Sequence, residues 1–88
     1  MDVRETIGWN LRRLRVAKGL SQERLAFESE IDRSYVGRVE RGKENVTVST
    51  LEAFAQALEV DVSALFAPID PGTQKPTALR SGRKRKRS

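Results

Sequence analysis

Ile7, Leu11 and Leu14 recur at helical spacing, with Val3 one turn earlier, and predict a first helix ending at Gly19. Ser21 is a good N-cap, and Gln22 to Ser29 reads as a short second helix with Leu25 and Ala26 inward. Asp32 caps a third helix over Arg33 to Arg41, with Val36 and Val39 inward and Gly42 closing it. Thr47 caps a fourth, whose apolar face is Val48, Leu51, Phe54, Ala55 and Leu58. Asp61 caps a last short helix carrying Leu65 and Phe66. No segment shows the two-residue alternation of a strand. The pattern predicts an all-α fold over residues 1–67.

Beyond Pro68 the apolar period stops. Pro71, Gly72, Pro76, Gly82 and a run of bases follow, a composition that cannot bury enough surface to offset ordering. Residues 68–88 are therefore expected to form a disordered basic tail.

Length sharpens this reading. With 88 residues the chain makes one small domain. Such a chain buries only about 60% of the surface it exposes when unfolded, and dimerisation is one way to add to that. There is no cysteine and no histidine, which excludes disulfides and an ordinary zinc site. No stretch approaches the ~18 apolar residues of a membrane span, and the N-terminus lacks a signal-peptide core. The expected protein is cytoplasmic, with no membrane contact.

Charge is unevenly spread. Residues 1–43 hold ten bases and seven acids, whereas residues 44–67 hold four acids and no base. The stretch from Pro68 onward holds seven bases and one acid. A domain with one basic end suits a module that turns one face to a polyanion. The "GRKRKRS" run has two readings, a solubilising segment or an extra grip on phosphates.

The second and third helices are joined by only a few residues. So short a connection forces a sharp crossing, as in a helix-turn-helix. Ala26 is small where the helices approach, and Ile31 and Val36 fill the gap. The outward positions of the third helix are then Arg33, Ser34, Tyr35, Gly37 and Arg38. An arginine can donate two hydrogen bonds to guanine O6 and N7, and N-terminal residues of such a helix meet base edges. Gly37 would let the backbone sit closer to DNA. Tyr35 has a second reading as a half-buried packing residue. Trp9 and Val16 lie on the face of the first helix opposite the apolar stripe, where they are either isolated surface residues or an interface.

The run "GLSQERLAFESEIDRSYVGRVERGKENVTVSTLEAFAQALEVDVSALF" resembles the Cro/C1-type (XRE) helix-turn-helix family, and with the first helix the resemblance covers roughly residues 4–67. The stretch "IDRSYVGRVERGKENVTVSTLE" resembles the controller proteins of restriction–modification systems in particular. The resemblance implies a five-helix, lambda-repressor-like DNA-binding domain that binds double-stranded DNA as a homodimer on an inverted repeat. By matching position it implies that Gln22 holds a phosphate. It likewise implies that Arg33, Ser34 and Arg38 face bases and that Tyr35 lies against a phosphate or a thymine methyl. Arg41, Lys43 and Asn45 are expected, by the same matching, to touch the backbone. Arg15 and Glu40 match a structural ion pair between the first and third helices. Glu30 and Glu59 stand where the family usually has glycine, so Glu30 is expected to have a positive φ.

These features point to a transcriptional regulator and away from an enzyme. The usual catalytic constellations are missing, no cofactor motif is visible, and no small-molecule effector domain is expected. The alternative is an antitoxin-type protein-interaction module that also binds DNA, which a neighbouring toxin gene would favour.

Overall fold

The computed structural model describes residues 2–69. Four α-helices, α1 (Val3–Ala17), α2 (Gln22–Ser29), α3 (Arg33–Glu40) and α4 (Val48–Leu58), are followed by a 3-10 helix over Val62–Phe66. Among the described residues there is no strand. The fold is the five-helix all-α arrangement, with its last element wound as a 3-10 turn. The expected tail lies outside the described residues from position 70 onward.

The starts of these elements follow from short polar side chains. Ser21, Asp32, Thr47 and Asp61 each accept a hydrogen bond from a backbone N–H of the turn they precede. Asp2 does the same for α1, and Glu5 returns a bond to the Asp2 backbone, completing a capping box that the sequence reading missed.

All four helices end alike. A residue with positive φ follows each, namely Gly19 (77°), Glu30 (58°), Gly42 (73°) and Glu59 (59°). In each case the next N–H bonds back across the turn: Leu20 to Arg15, Ile31 to Ala26, Lys43 to Arg38 and Val60 to Ala55, at 2.9–3.0 Å. This is the Schellman ending, whose residue after the left-handed position packs against the helix. Leu20, Ile31 and Val60 do so, each lying against the core. At the end of α3 the equivalent residue is Lys43, which is exposed. The third helix thus ends by turning a base outward where the others turn an apolar side chain in.

The core joins all five elements. Leu11, Leu25, Val36, Phe54 and Leu65 are each fully buried in it. Burying one such side chain contributes about 1.5–3 kcal/mol. α1 packs on α3 and on the 3-10 helix, and α2 packs on α3 and α4. At the α1–α3 crossing, Gly8 is buried against the last turn of α3. A Cβ there would collide with the Val39 carbonyl oxygen and stand 2.9 Å from that of Glu40. Asn10, also buried, donates through Nδ2 to the carbonyls of Leu65 and Ala67 at 3.1 and 3.0 Å. It pins the 3-10 helix to α1.

Three residues expected on apolar faces are instead exposed: Val3 at 57%, Val48 at 72% and Phe66 at 42%. Val3 and Val48 are the first residues of their helices. Val46, just before α4, packs against the core instead. Trp9 and Val16 are half-buried.

Candidate nucleic-acid interface

Three residues separate α2 from α3, and their backbone sets the crossing. Glu30 takes the left-handed conformation at φ 58° and ψ 41°, so the chain reverses after one residue. Ile31 then packs inward, and Asp32 starts α3 by accepting from the Ser34 N–H at 3.0 Å. A non-glycine residue in that conformation costs about 1–2 kcal/mol, which core packing on both sides of the turn offsets.

Val36 and Val39 are buried at 0% and 1%, which turns the opposite side of α3 to solvent. Arg33 and Ser34 are exposed there, and Tyr35 and Arg38 are half-buried. Asp32 also accepts from the Ser34 hydroxyl, so Ser34 offers acceptor lone pairs outward while its donor is used locally. That same hydroxyl bond, with the Ser34 N–H behind it, holds the Asp32 carboxyl below the usual value. Burial, and then the nearby Glu44 carboxylate, raise the Tyr35 phenol above its ordinary value.

Arg38 is held on two sides. Its Nε donates to Glu44 Oε2 at 2.6 Å, and its guanidinium carbon lies 5.6 Å from the Tyr35 ring centroid. With Ile31, Asp32 and Thr50, Tyr35 and Arg38 wall an open groove of about 480 Å³. Arg41, Lys43 and Asn45 are exposed where the chain leaves α3. Among the described residues, no salt bridge engages Arg33, Arg41 or Lys43. These three cations are free to meet an outside anion.

Behind this face lies a buried polar network. Arg15 Nε donates to Glu40 Oε2 at 2.6 Å and Arg15 Nη2 to Oε1 at 3.1 Å, a bidentate pair. Arg15 Nη1 donates to the Leu20 carbonyl at 2.8 Å. Glu40 Oε1 also accepts from Arg12 Nε at 3.3 Å and from Gln22 Nε2 at 3.0 Å. One carboxylate thus links α1, the start of α2 and α3.

Two of these positions also make contacts inside the protein. Gln22, expected to face a phosphate, directs one N–H inward to Glu40; its second N–H and its Oε1 remain for an outside partner. Gly37 is buried rather than outward. A Cβ there would stand 3.3 Å from Arg41 Nη1 and 3.8 Å from Gln22 Oε1, so those side chains lie over it. The missing side chain at Gly37 makes room for Arg41 and Gln22 to converge over the helix.

The helix-turn-helix family profile matches residues 11–65, which contain this whole arrangement. The chain belongs to that family of transcriptional regulators. An uncharacterized HTH-type transcriptional regulator of Sinorhizobium fredii is 44% identical over 70 residues, 80% of this chain and 91% of its own length. The control protein C.SmaI of Serratia marcescens is 46% identical over 66 residues, 75% of this chain and 79% of its own length. The crystal structure of the restriction-modification controller protein C.AhdI from Aeromonas hydrophila superposes with a TM-score of 0.70 at 52% identity, covering 72% of this chain and 96% of that one.

Within this helix-turn-helix frame, sequence reasoning missed Arg12 and Glu44. Arg12 carries no local signal, because its partner lies 28 residues away in sequence. Glu44 does carry one. The left-handed Gly42, a glycine ending visible in the sequence, folds the chain back after α3, and Glu44 comes to lie beside Arg38. No helix among the described residues is long and apolar enough to cross a membrane.

Proposed function

We propose that this regulator binds double-stranded DNA as a homodimer, with α3 in the major groove and its operator an inverted repeat. The observation that carries the reading is the two-sidedness of α3. One side is locked into the core by Val36 and Val39, and the other presents Arg33, Ser34, Tyr35 and Arg38. Arg33 and Arg38 are about one and a half turns apart, too far to serve one base pair, so they divide the reading of a half-site. Arg41, Lys43, Asn45 and the free end of Gln22 grip the flanking phosphates, which fix register without reading sequence. The bases from Lys75 to Arg87 add phosphate contacts of the same kind.

An eight-residue reading helix spans only a few base pairs. Selectivity in a genome therefore needs two copies, about 34 Å apart for one turn of DNA. Phe66, exposed on the last element, is the apolar side chain a second copy would cover. The likeness to control proteins supports restriction–modification genes as the regulated set.

Selecting binding sites from a random DNA pool at fixed salt tests this reading, with sedimentation of the free protein alongside. The expected result is a two-fold symmetric site and a dimer. Enrichment of a single, non-repeated element by a monomer would overturn it.

A further inference from the structure

Glu44 stands outside the helix-turn-helix, in the loop after Gly42, yet its carboxylate meets the guanidinium of a residue on the reading face. The contact is a 2.6 Å hydrogen bond from Arg38 Nε to Glu44 Oε2, with the side chains 43% and 26% exposed. The pair is neither buried nor fully solvated. Arg38 also lies over the Tyr35 ring at 5.6 Å.

We infer that Glu44 is a specificity-determining positioning residue, holding Arg38 by Nε so that it meets a base edge instead of a phosphate. This rests on the proposed base-reading role of Arg38. A guanidinium has five N–H donors. Engaging Nε leaves those on Nη1 and Nη2, whose fork can match guanine O6 and N7. Arginine has a long, flexible stem, and the nearest anions along any duplex are phosphates. An untethered Arg38 would spend its charge there, on every sequence alike. The Glu44 carboxylate holds the fork in place before DNA arrives and, being negative, opposes approach to the backbone. Tyr35 restricts the guanidinium from its second side.

A carboxylate in a DNA-binding face lowers affinity, and its effect here is selectivity. Wild-type protein discriminates strongly at the base pair Arg38 reads and binds non-specific duplex weakly. With the charge removed, non-specific binding gains a phosphate contact and that base pair loses influence.

The test compares wild type, Glu44→Gln, Arg38→Ala and the double variant on one panel. The panel holds the duplex selected by the wild-type protein, its single-base changes, and a scrambled duplex, each over a salt series. Glu44→Gln should bind the scrambled duplex more tightly, with a log–log salt slope steeper by about one. Its discrimination should fall about three- to tenfold at one position in each half-site, the position that Arg38→Ala also relaxes, and at no other. In the Arg38→Ala background, Glu44→Gln should leave the pattern of preferences unchanged.

Three results would overturn the inference. If Glu44→Gln keeps the wild-type preferences while Arg38→Ala loses one, Arg38 reads without help from Glu44. If Glu44→Gln changes preferences without Arg38, the carboxylate acts on DNA directly. If Arg38→Ala weakens every duplex equally, the base-reading role of Arg38 itself fails and the inference fails with it. Thermal unfolding of each variant separates loss of fold from loss of reading.

Discussion

Arg15 Nε and Glu40 Oε2 lie 2.6 Å apart, with their side chains only 2% and 0% exposed, so α1 and α3 are joined by an ion pair sealed from water. A sealed pair gains little over apolar packing but is costly to break on one side. Arg15→Ala leaves the Glu40 carboxylate buried with only Arg12 and Gln22, and should cost about 3–5 kcal/mol in urea unfolding. The double variant Arg15→Met with Glu40→Leu should recover much of that loss. Because Gln22 is also held by Glu40, the recovered protein should still bind DNA more weakly than wild type. Recovery of full DNA affinity would show that Glu40 does not position Gln22.

Gly8 marks a close approach of α1 to α3. Gly8→Ala would place a methyl carbon against the Val39 and Glu40 carbonyl oxygens. Overpacking of this kind costs about 1–3 kcal/mol or more, although alanine is the better helix former. The measurement is the denaturation midpoint. A stabilised Gly8→Ala would mean the two helices can part at no cost.

Glu30 ends α2 in the left-handed conformation, and its side chain makes no salt bridge among the described residues. Glu30→Gly should stabilise the fold by about 1 kcal/mol, because relief of strain outweighs the extra freedom of the unfolded chain. Glu59 has the same geometry but pairs with Lys18 at 2.6 Å, and that bond, with the charge attraction behind it, lowers its pKa. Glu59→Gly should therefore gain less. Equal gains at both sites, read by thermal unfolding, would show that the Lys18 contact contributes nothing.

The capping carboxylates predict an acid limb. Serine hydroxyls depress the Asp32 and Asp61 carboxyls, and the Glu5 N–H, followed by Arg4, depresses that of Asp2. A group with a depressed folded-state pKa contributes stability above its unfolded value and loses it as pH falls through the folded one. Stability should therefore decline from about pH 4 downward, starting near the ordinary Asp value of 3.8. Asp32→Asn should flatten that limb. At the other extreme the raised Tyr35 pKa contributes below 10.0 and is lost as pH rises through the folded value. Tyr35 is the one tyrosine in the chain, so tyrosinate absorbance reads it alone. Glu44→Gln should move its titration part of the way back toward the ordinary value, because burial remains.

Local chemistry made most of the fold legible in the sequence. Ser21, Asp32, Thr47 and Asp61 announce the starts of their elements, and Gly19 and Gly42 announce the ends of α1 and α3. Glu30 and Glu59 were found only through the family resemblance, since nothing local predicts a left-handed glutamate. Of the outward residues of α3, Arg33, Ser34, Tyr35 and Arg38 followed from its helical period, whereas Gly37 is covered by the Arg41 and Gln22 side chains. What stayed hidden depends on tertiary contact: Gly8 under α3, Asn10 on the 3-10 helix, and the inward bond of Gln22. The exposure of Val3 and Val48 was missed because a helical period shows which face is apolar but not how far along the helix it stays covered.

In the proposed complex α3 reads sequence through its arginines. The deciding measurement is the affinity of Arg33→Ala, Arg38→Ala and Lys43→Ala for a selected operator and all its single-base changes. At least one arginine variant should lose about 1–3 kcal/mol on the preferred site and become indifferent at one position in each half-site. Lys43→Ala should weaken every duplex alike and reduce the salt slope by about one. If both arginine variants also weaken every duplex alike, these side chains only grip the backbone, and α3 does not read the operator.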